Sequence, residues 1–142
     1  MRVRLPRFQI IFYDPNAYVI NHYNLLVASK ASSKKIIYTK QNLNLIKILL
    51  KTGAISHYTV VNFKHKYFIK FSIYNFKNSP FFKTIRLIST QSKSFTISLQ
   101  TIKLLTPTFK TSLFVLSTSK GLLTNTEALR LGTGGILICV LN

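Results

Sequence analysis

Ser117, Thr118, Ser119, Lys120 and Gly121 stand in a row between two nearly unbroken apolar stretches, "SLFVL" before them and "ILICVL" after. Three adjacent short hydroxyls can each donate and accept a hydrogen bond at close range. The lysine adds a compact point charge. The glycine lets the backbone approach a surface with no Cβ in the way. This is the chemistry of non-covalent contact rather than of bond making. Taken alone, the run fits a solvated turn as well as a contact loop.

Catalytic machinery does not emerge from the remaining residues. The only carboxylates are Asp14 and Glu127, 113 positions apart. His22, His57 and His65 show no metal-ligand spacing, and one thiol is available to join them, so no metal is expected. No serine sits in a G-x-S-x-G elbow. "GTGG" at 132–135 lacks the G-K-[ST] of a phosphate loop. The chain reads as a binding protein, with neither enzyme activity nor a cofactor.

Charge gives the partner class. Twenty lysines and arginines face two acids, a formal net charge of +18, and the excess extends over both halves of the chain. Such a protein repels itself, and a polyanion relieves the repulsion. Nucleic acid is the first candidate and an anionic membrane the second. The apolar runs are short or broken by lysine, as in "NLIKILLKTG", whereas a spanning helix needs roughly 20 mostly apolar residues. No membrane insertion is therefore expected. The start, "MRVRLPRFQIIFY", is too short in its apolar part for a secretory signal. The single cysteine, Cys139, lies in "ILICVL" and reads as a buried structural thiol. Eleven Phe and seven Tyr argue against a disordered chain. Abundant Lys, Ile, Asn, Phe and Tyr, with few Arg, Ala, Gly and Pro, match an AT-rich genome. Without a removable targeting segment, this suggests a protein encoded in an organelle, mitochondrion before plastid.

The elements that must hold these residues can be read from local signals. Asp14-Pro15 reads as an N-cap followed by a first-turn proline. Apolar residues at 17, 19, 20, 23 and 26 then predict an amphipathic helix. "SKASSKK" at 29–35 reads as a polar loop, and "IIY" at 36–38 as a short strand. Leu43, Leu45, Ile46, Leu49 and Leu50 predict a helix over 40–52, with Gly53 to end it. "AISHYTVV" and "KYFIKFSIYNF" alternate as strands with one face buried, and "KNSP" at 77–80 is a turn. Further on, "KTIRLIS", "SFTISL" and "SLFVLST" read as strands, and "TIKLL" as a single helical turn before Pro107. Thr124-Asn125-Thr126-Glu127 matches a capping box. It opens a short helix that Gly132 can close. Gly134-Gly135 then turns the chain into a last strand. The expected class is α+β in two small lobes, N-terminal α-β-α-β-β and C-terminal mostly β with one short helix. The divisions are a basic N-terminal extension at 1–13, an N-terminal α/β lobe at 14–80 and a C-terminal β-rich lobe at 81–142. Lys30, Lys34 and Lys35 form one candidate phosphate-binding cluster in the polar loop; Arg2, Arg4 and Arg7 form another.

The stretch "VLSTSKGLLTNTEALRLGTGGILICVL" resembles the C-terminal signature of the small ribosomal subunit protein eight family. Ser117, Thr118, Ser119, Lys120 and Gly121 match its S-T-S-K-G block; Thr124, Glu127, Ala128, Gly134, Gly135 and Cys139 match the rest of the signature. Asp14, Pro15 and Ala17 resemble the family's D-P-I-A opening. Departures are visible too. His22 and Asn24 replace members of an arginine-rich helix, and Ile136 replaces a glutamate. "STQSKSFT" at 89–96 keeps Ser89 of the S-K-P-G-x-R-x-Y segment without its Pro, Gly and aromatic.

The resemblance implies a two-lobe protein that binds small-subunit ribosomal RNA directly, through its C-terminal lobe, on an irregular stem of the central domain. The RNA-binding residues would be Ser117, Thr118, Ser119, Lys120, Gly121, Thr124 and Ser89, with Lys30, Lys34 and Lys35 on phosphates. Its partners would be small-subunit rRNA and neighbouring small-subunit ribosomal proteins. A-form RNA exposes 2′-hydroxyls and sugar edges in a shallow minor groove, a surface that short hydroxyls can meet. A basic RNA-binding module outside the ribosome is the alternative.

Overall fold

The computed structural model describes residues 14–90, 92–108 and 112–142. The basic extension expected at 1–13, with Arg2, Arg4 and Arg7, lies outside them.

Helix α1 (Pro15–Ser29) starts where the Asp14 carboxylate accepts from the Asn16 amide at 3.1 Å, with Pro15 in the first turn. Its buried stripe is Val19, Ile20, Tyr23 and Leu26. Helix α2 (Lys40–Thr52) is capped by Thr39 and ends at Gly53, whose φ of 93° no other residue adopts without strain. Both helices pack on one face of an antiparallel sheet, ordered β1-β3-β2, built from β1 (Lys34–Ile37), β2 (Ile55–Phe63) and β3 (Lys66–Ile73). Ile36, Ile69 and Phe71 fill the helix side. A small hairpin, β4 (Asn75–Phe76) with β5 (Ser79–Pro80), leads onward.

The second sheet runs β6-β10-β8-β9, from β6 (Ile85–Leu87), β8 (Leu113–Thr118), β9 (Gly121–Thr124) and β10 (Gly135–Leu141). The short strand β7 (Thr96–Ile97) pairs with the start of β10. Strand β8 lies between two cores. Val115 joins Ile138, Cys139 and Leu141 in the core shared with α1 and α2, while Phe114 and Leu116 face a smaller core with Ile97, Ile102 and Ala128. A strand buried on both faces must be apolar throughout, which accounts for the "LFVL" run. In β10 the register slips between Leu137 and Cys139, so the consecutive Ile138 and Cys139 both lie in the larger core. Cys139 is fully buried and burial pushes its thiol up to about 12, so it is inert at neutral pH.

Tyr23 and Asn24 tie α1 to the second sheet. The buried Tyr23 hydroxyl donates to the Phe82 carbonyl at 3.0 Å. Asn24 donates to the Ile85 carbonyl and accepts from the Ile85 amide, at 3.0 and 3.1 Å, as a neighbouring strand would.

Two local expectations are corrected. Lys34 and Lys35 are not in a loop: their backbones pair with Phe71 and Lys70, so β1 begins two residues earlier than the apolar run suggests. Lys30 caps the C-terminus of α1 in the left-handed region. The three lysines therefore do not share one loop. "TIKLL" belongs to a ten-residue helix, α3 (Leu99–Thr108), rather than a single turn. Ser98 accepts from the Thr101 amide at its start, fully buried Ile102 anchors it, and Pro107 falls only in its last turn, where little helix remains to disrupt.

Candidate nucleic-acid interface

Strands β8 and β9 form a tight hairpin in which Thr118 pairs with Gly121 and Ser119-Lys120 make the turn. The Thr118 hydroxyl donates to the Gly121 carbonyl at 2.9 Å and accepts from the Lys120 amide at 3.1 Å. Gly121 has φ 102°, while a Cβ there would meet nothing within 4 Å. Its glycine is thus a conformational requirement of the turn. Ser119, Lys120 and Gly121 are exposed; Ser117 and Thr118 are half-buried.

The mount is rigid. Helix α4 (Asn125–Leu131) follows β9 without a break, and its capping box is complete. Thr124 accepts from the Glu127 amide, and Glu127 accepts from the Thr124 amide at 3.2 Å. Thr124 is buried with its hydroxyl engaged. Ser89 is likewise buried; it donates to the Leu137 carbonyl and accepts from the Phe95 amide at 2.9 Å. Both hold backbone in place from inside the protein. Asn125, not singled out in the sequence, links α4 to β8 and α3 through the Phe114 amide and the Thr106 hydroxyl.

Beneath the hairpin the chain passes unusually close to itself. A Cβ on Gly135 would lie 2.3 Å from the Ser117 carbonyl oxygen, and one on Gly134 would lie 2.6 Å from that of Ile97. These two glycines let β10 and β7 come up under the hydroxyl loop.

Alongside the hairpin runs the polar face of α2. Ser117 shares a cleft of about 270 Å³ with Asn16, Gln41 and Asn44. Gly121 and Leu122 share the adjoining one with Asn44, Lys47 and Lys51. Gln41, Asn44, Lys47 and Lys51 recur on the side of α2 opposite its buried Leu45, Ile46 and Leu49. That polar stripe was the available signal for Lys47 and Lys51, but nothing local in it says that the hairpin lies beside it. Lys51 closes an ion pair with Glu127, which joins α2 to α4. None of Lys30, Lys34 and Lys35 lies on this rim. Lys30 is exposed at the end of α1 and lines another cleft, with Lys83 and Asn78. Lys34 is half-buried on the helix side of the first sheet, and Lys35 is exposed on the opposite side.

The Lys51 hydrogen bond holds the Glu127 carboxyl below its ordinary range; the Thr124 amide and hydroxyl act in the same sense, and burial opposes them. A carboxylate depressed by folding contributes stability that is present above its unfolded value and lost as pH falls through the folded one. On acid titration followed by circular dichroism, the wild type should lose stability below about pH 4.5 more steeply than Glu127→Gln, which keeps an acceptor for the cap.

Among the described residues no group of His, Cys, Asp or Glu could hold a metal, and no helix is long and apolar enough to cross a membrane. A family model described as "Ribosomal protein S8" matches residues 18–141. A "Small ribosomal subunit protein uS8" from a Nitratiruptor species is 35% identical over 109 residues, covering 74% of this chain and 80% of its own. Proteins of the same name from Dictyoglomus thermophilum and Dictyoglomus turgidum are 28% and 29% identical over 103 residues, with 72% of this chain and 77% of each relative covered.

Proposed function

This chain belongs to the ribosomal protein S8 family, and from that premise we infer that it is a structural constituent of the small ribosomal subunit that meets its RNA with the β8–β9 hairpin and the adjoining face of α2. It binds small-subunit rRNA and sits among neighbouring small-subunit proteins. The family selects this reading over a basic RNA-binding module outside the ribosome. In it, residues 81–142 are the lobe that docks on the RNA, and residues 14–80 lend α2 to its edge. The protein acts by binding and assembly, and carries out no reaction.

One observation carries the site: the exposed Ser119, on a rigidly mounted turn that needs glycine at 121, lies next to a lysine-bearing helix face. Ser119 meets ribose hydroxyls, Gly121 sits close to the RNA backbone, and Lys120 and Lys47 neutralise phosphates. Ser117 and Thr118 shape the turn and edge the contact. Thr124 and Ser89 contribute by positioning. AT-rich composition supports a mitochondrial ribosome as the setting, with a plastid ribosome second; the three relatives are bacterial.

Replacing Ser119 by alanine removes one neutral hydrogen bond, about 1 kcal/mol or fivefold in affinity. Filter binding to an irregular central-domain stem should show that loss at an unchanged melting temperature. Wild-type affinity in the variant would remove the hairpin hydroxyl from the site.

A further inference from the structure

The three-stranded sheet has a second face. Strand pairing places Lys35 opposite Lys70, Lys66 opposite Phe63, and Phe68 opposite Ile37. All of these project on the side away from Ile36, Ile69 and Phe71, the side on which α1 and α2 pack. Phe63 is 55% exposed and Ile37 52%. Lys35, Lys66 and Lys70 are exposed as well.

Such a face is poor design for water alone. Like charges directly opposite on a sheet are destabilising, and Lys35 and Lys70 are so placed. No carboxylate relieves them, since the chain's only two are the α1 cap Asp14 and Glu127, paired with Lys51. The Lys35 and Lys64 ammonium groups instead lie 5.9 and 5.2 Å from the Phe63 ring centre. The β2–β3 turn places Lys64 and His65 at φ 51° and 65°, positions that Asn-Gly fills in most such hairpins. The Lys64 cation thus stands at the tip where the backbone favours other residues.

We propose that this face is a second RNA surface, taking an unpaired strand whose bases stack on Phe63 and Phe68 and whose phosphates meet Lys35, Lys66 and Lys70. Interleaved aromatic rings and cations on an open sheet suit single-stranded nucleic acid. A regular duplex would keep its bases out of reach of the rings. The inference adds to the reading above and does not depend on the hairpin.

Fluorescence anisotropy with a labelled oligouridine, on the full chain, tests it. Phe63→Ala should weaken oligouridine binding about fivefold or more. Lys35→Gln combined with Lys70→Gln should lower the salt slope by about 1.4, two single-strand phosphate contacts. The lysine double variant should melt no lower than wild type, and both variants should hold the central-domain stem with wild-type affinity. Ser119→Ala, by contrast, should leave oligouridine binding intact, so the two surfaces succeed or fail separately. Wild-type oligouridine affinity in both variants would overturn the proposal. So would retained oligouridine binding with loss of a small-subunit protein from the reconstituted particle, which would assign the face to a protein neighbour.

Discussion

Gly135→Ala is expected to cost about 3 kcal/mol of stability and to abolish stem binding, although it adds a single methyl group. The new Cβ would lie 2.3 Å from the Ser117 carbonyl oxygen and 2.9 Å from the Thr118 side chain. Both neighbours belong to β8, and a backbone oxygen cannot rotate aside as a side chain would. The strand pair Ile136–Ser117 must therefore open, and the hairpin that depends on it moves. In a domain of this size the loss corresponds to a fall in melting temperature of about 10 °C, which calorimetry resolves. Gly121→Ala is the control. It meets no clash and bears only the strain of φ 102°, on the order of 1–2 kcal/mol. If Gly135→Ala melts like wild type, the close approach of β10 to β8 is not as described.

Removing the charges of Lys47 and Lys120 together should reduce affinity for the stem by about 60-fold at 0.1 M salt and much less near 1 M. Each phosphate contact contributes roughly 0.9 to the slope of log affinity against log salt, so two contacts over one decade give about 1.8 log units. The substitutions Lys47→Gln and Lys120→Gln leave Lys51 in its pair with Glu127, so the junction of α2 and α4 is preserved. Discrimination between the irregular stem and a regular duplex should persist, because phosphate contacts position the protein without reading the RNA. Filter binding across a salt series checks both statements. An unchanged slope would take α2 out of the interface.

These expectations draw on two different kinds of information. Asp14-Pro15, the Thr124–Glu127 box, Gly53 and Gly132 each announced a helix end correctly, because caps are decided by residues within a turn of one another. Alternation in "KYFIKFSIYNF" gave a strand with one face buried for an equally local reason, and Ile69 and Phe71 lie on that face. The length of α3 is not legible locally, because Pro107 reads as a stop, while the packing of Ile102 and Leu105 that extends the helix comes from distant strands. Lys34 and Lys35 looked like one basic cluster. Strand geometry sends neighbours to opposite faces, and it was the pairing with Phe71 and Lys70 that made them a strand.

From the sequence alone came the α+β class, the strong positive charge, the hydroxyl run 117–121 and its family signature, all matters of composition or of residues close in the chain. Folding decided which cations accompany those hydroxyls. Lys51 and Glu127 are 76 positions apart and touch, and Gly135 is needed only because β8 passes above it. Local rules act over a few bonds, whereas a binding surface is assembled where a shared core draws remote segments together.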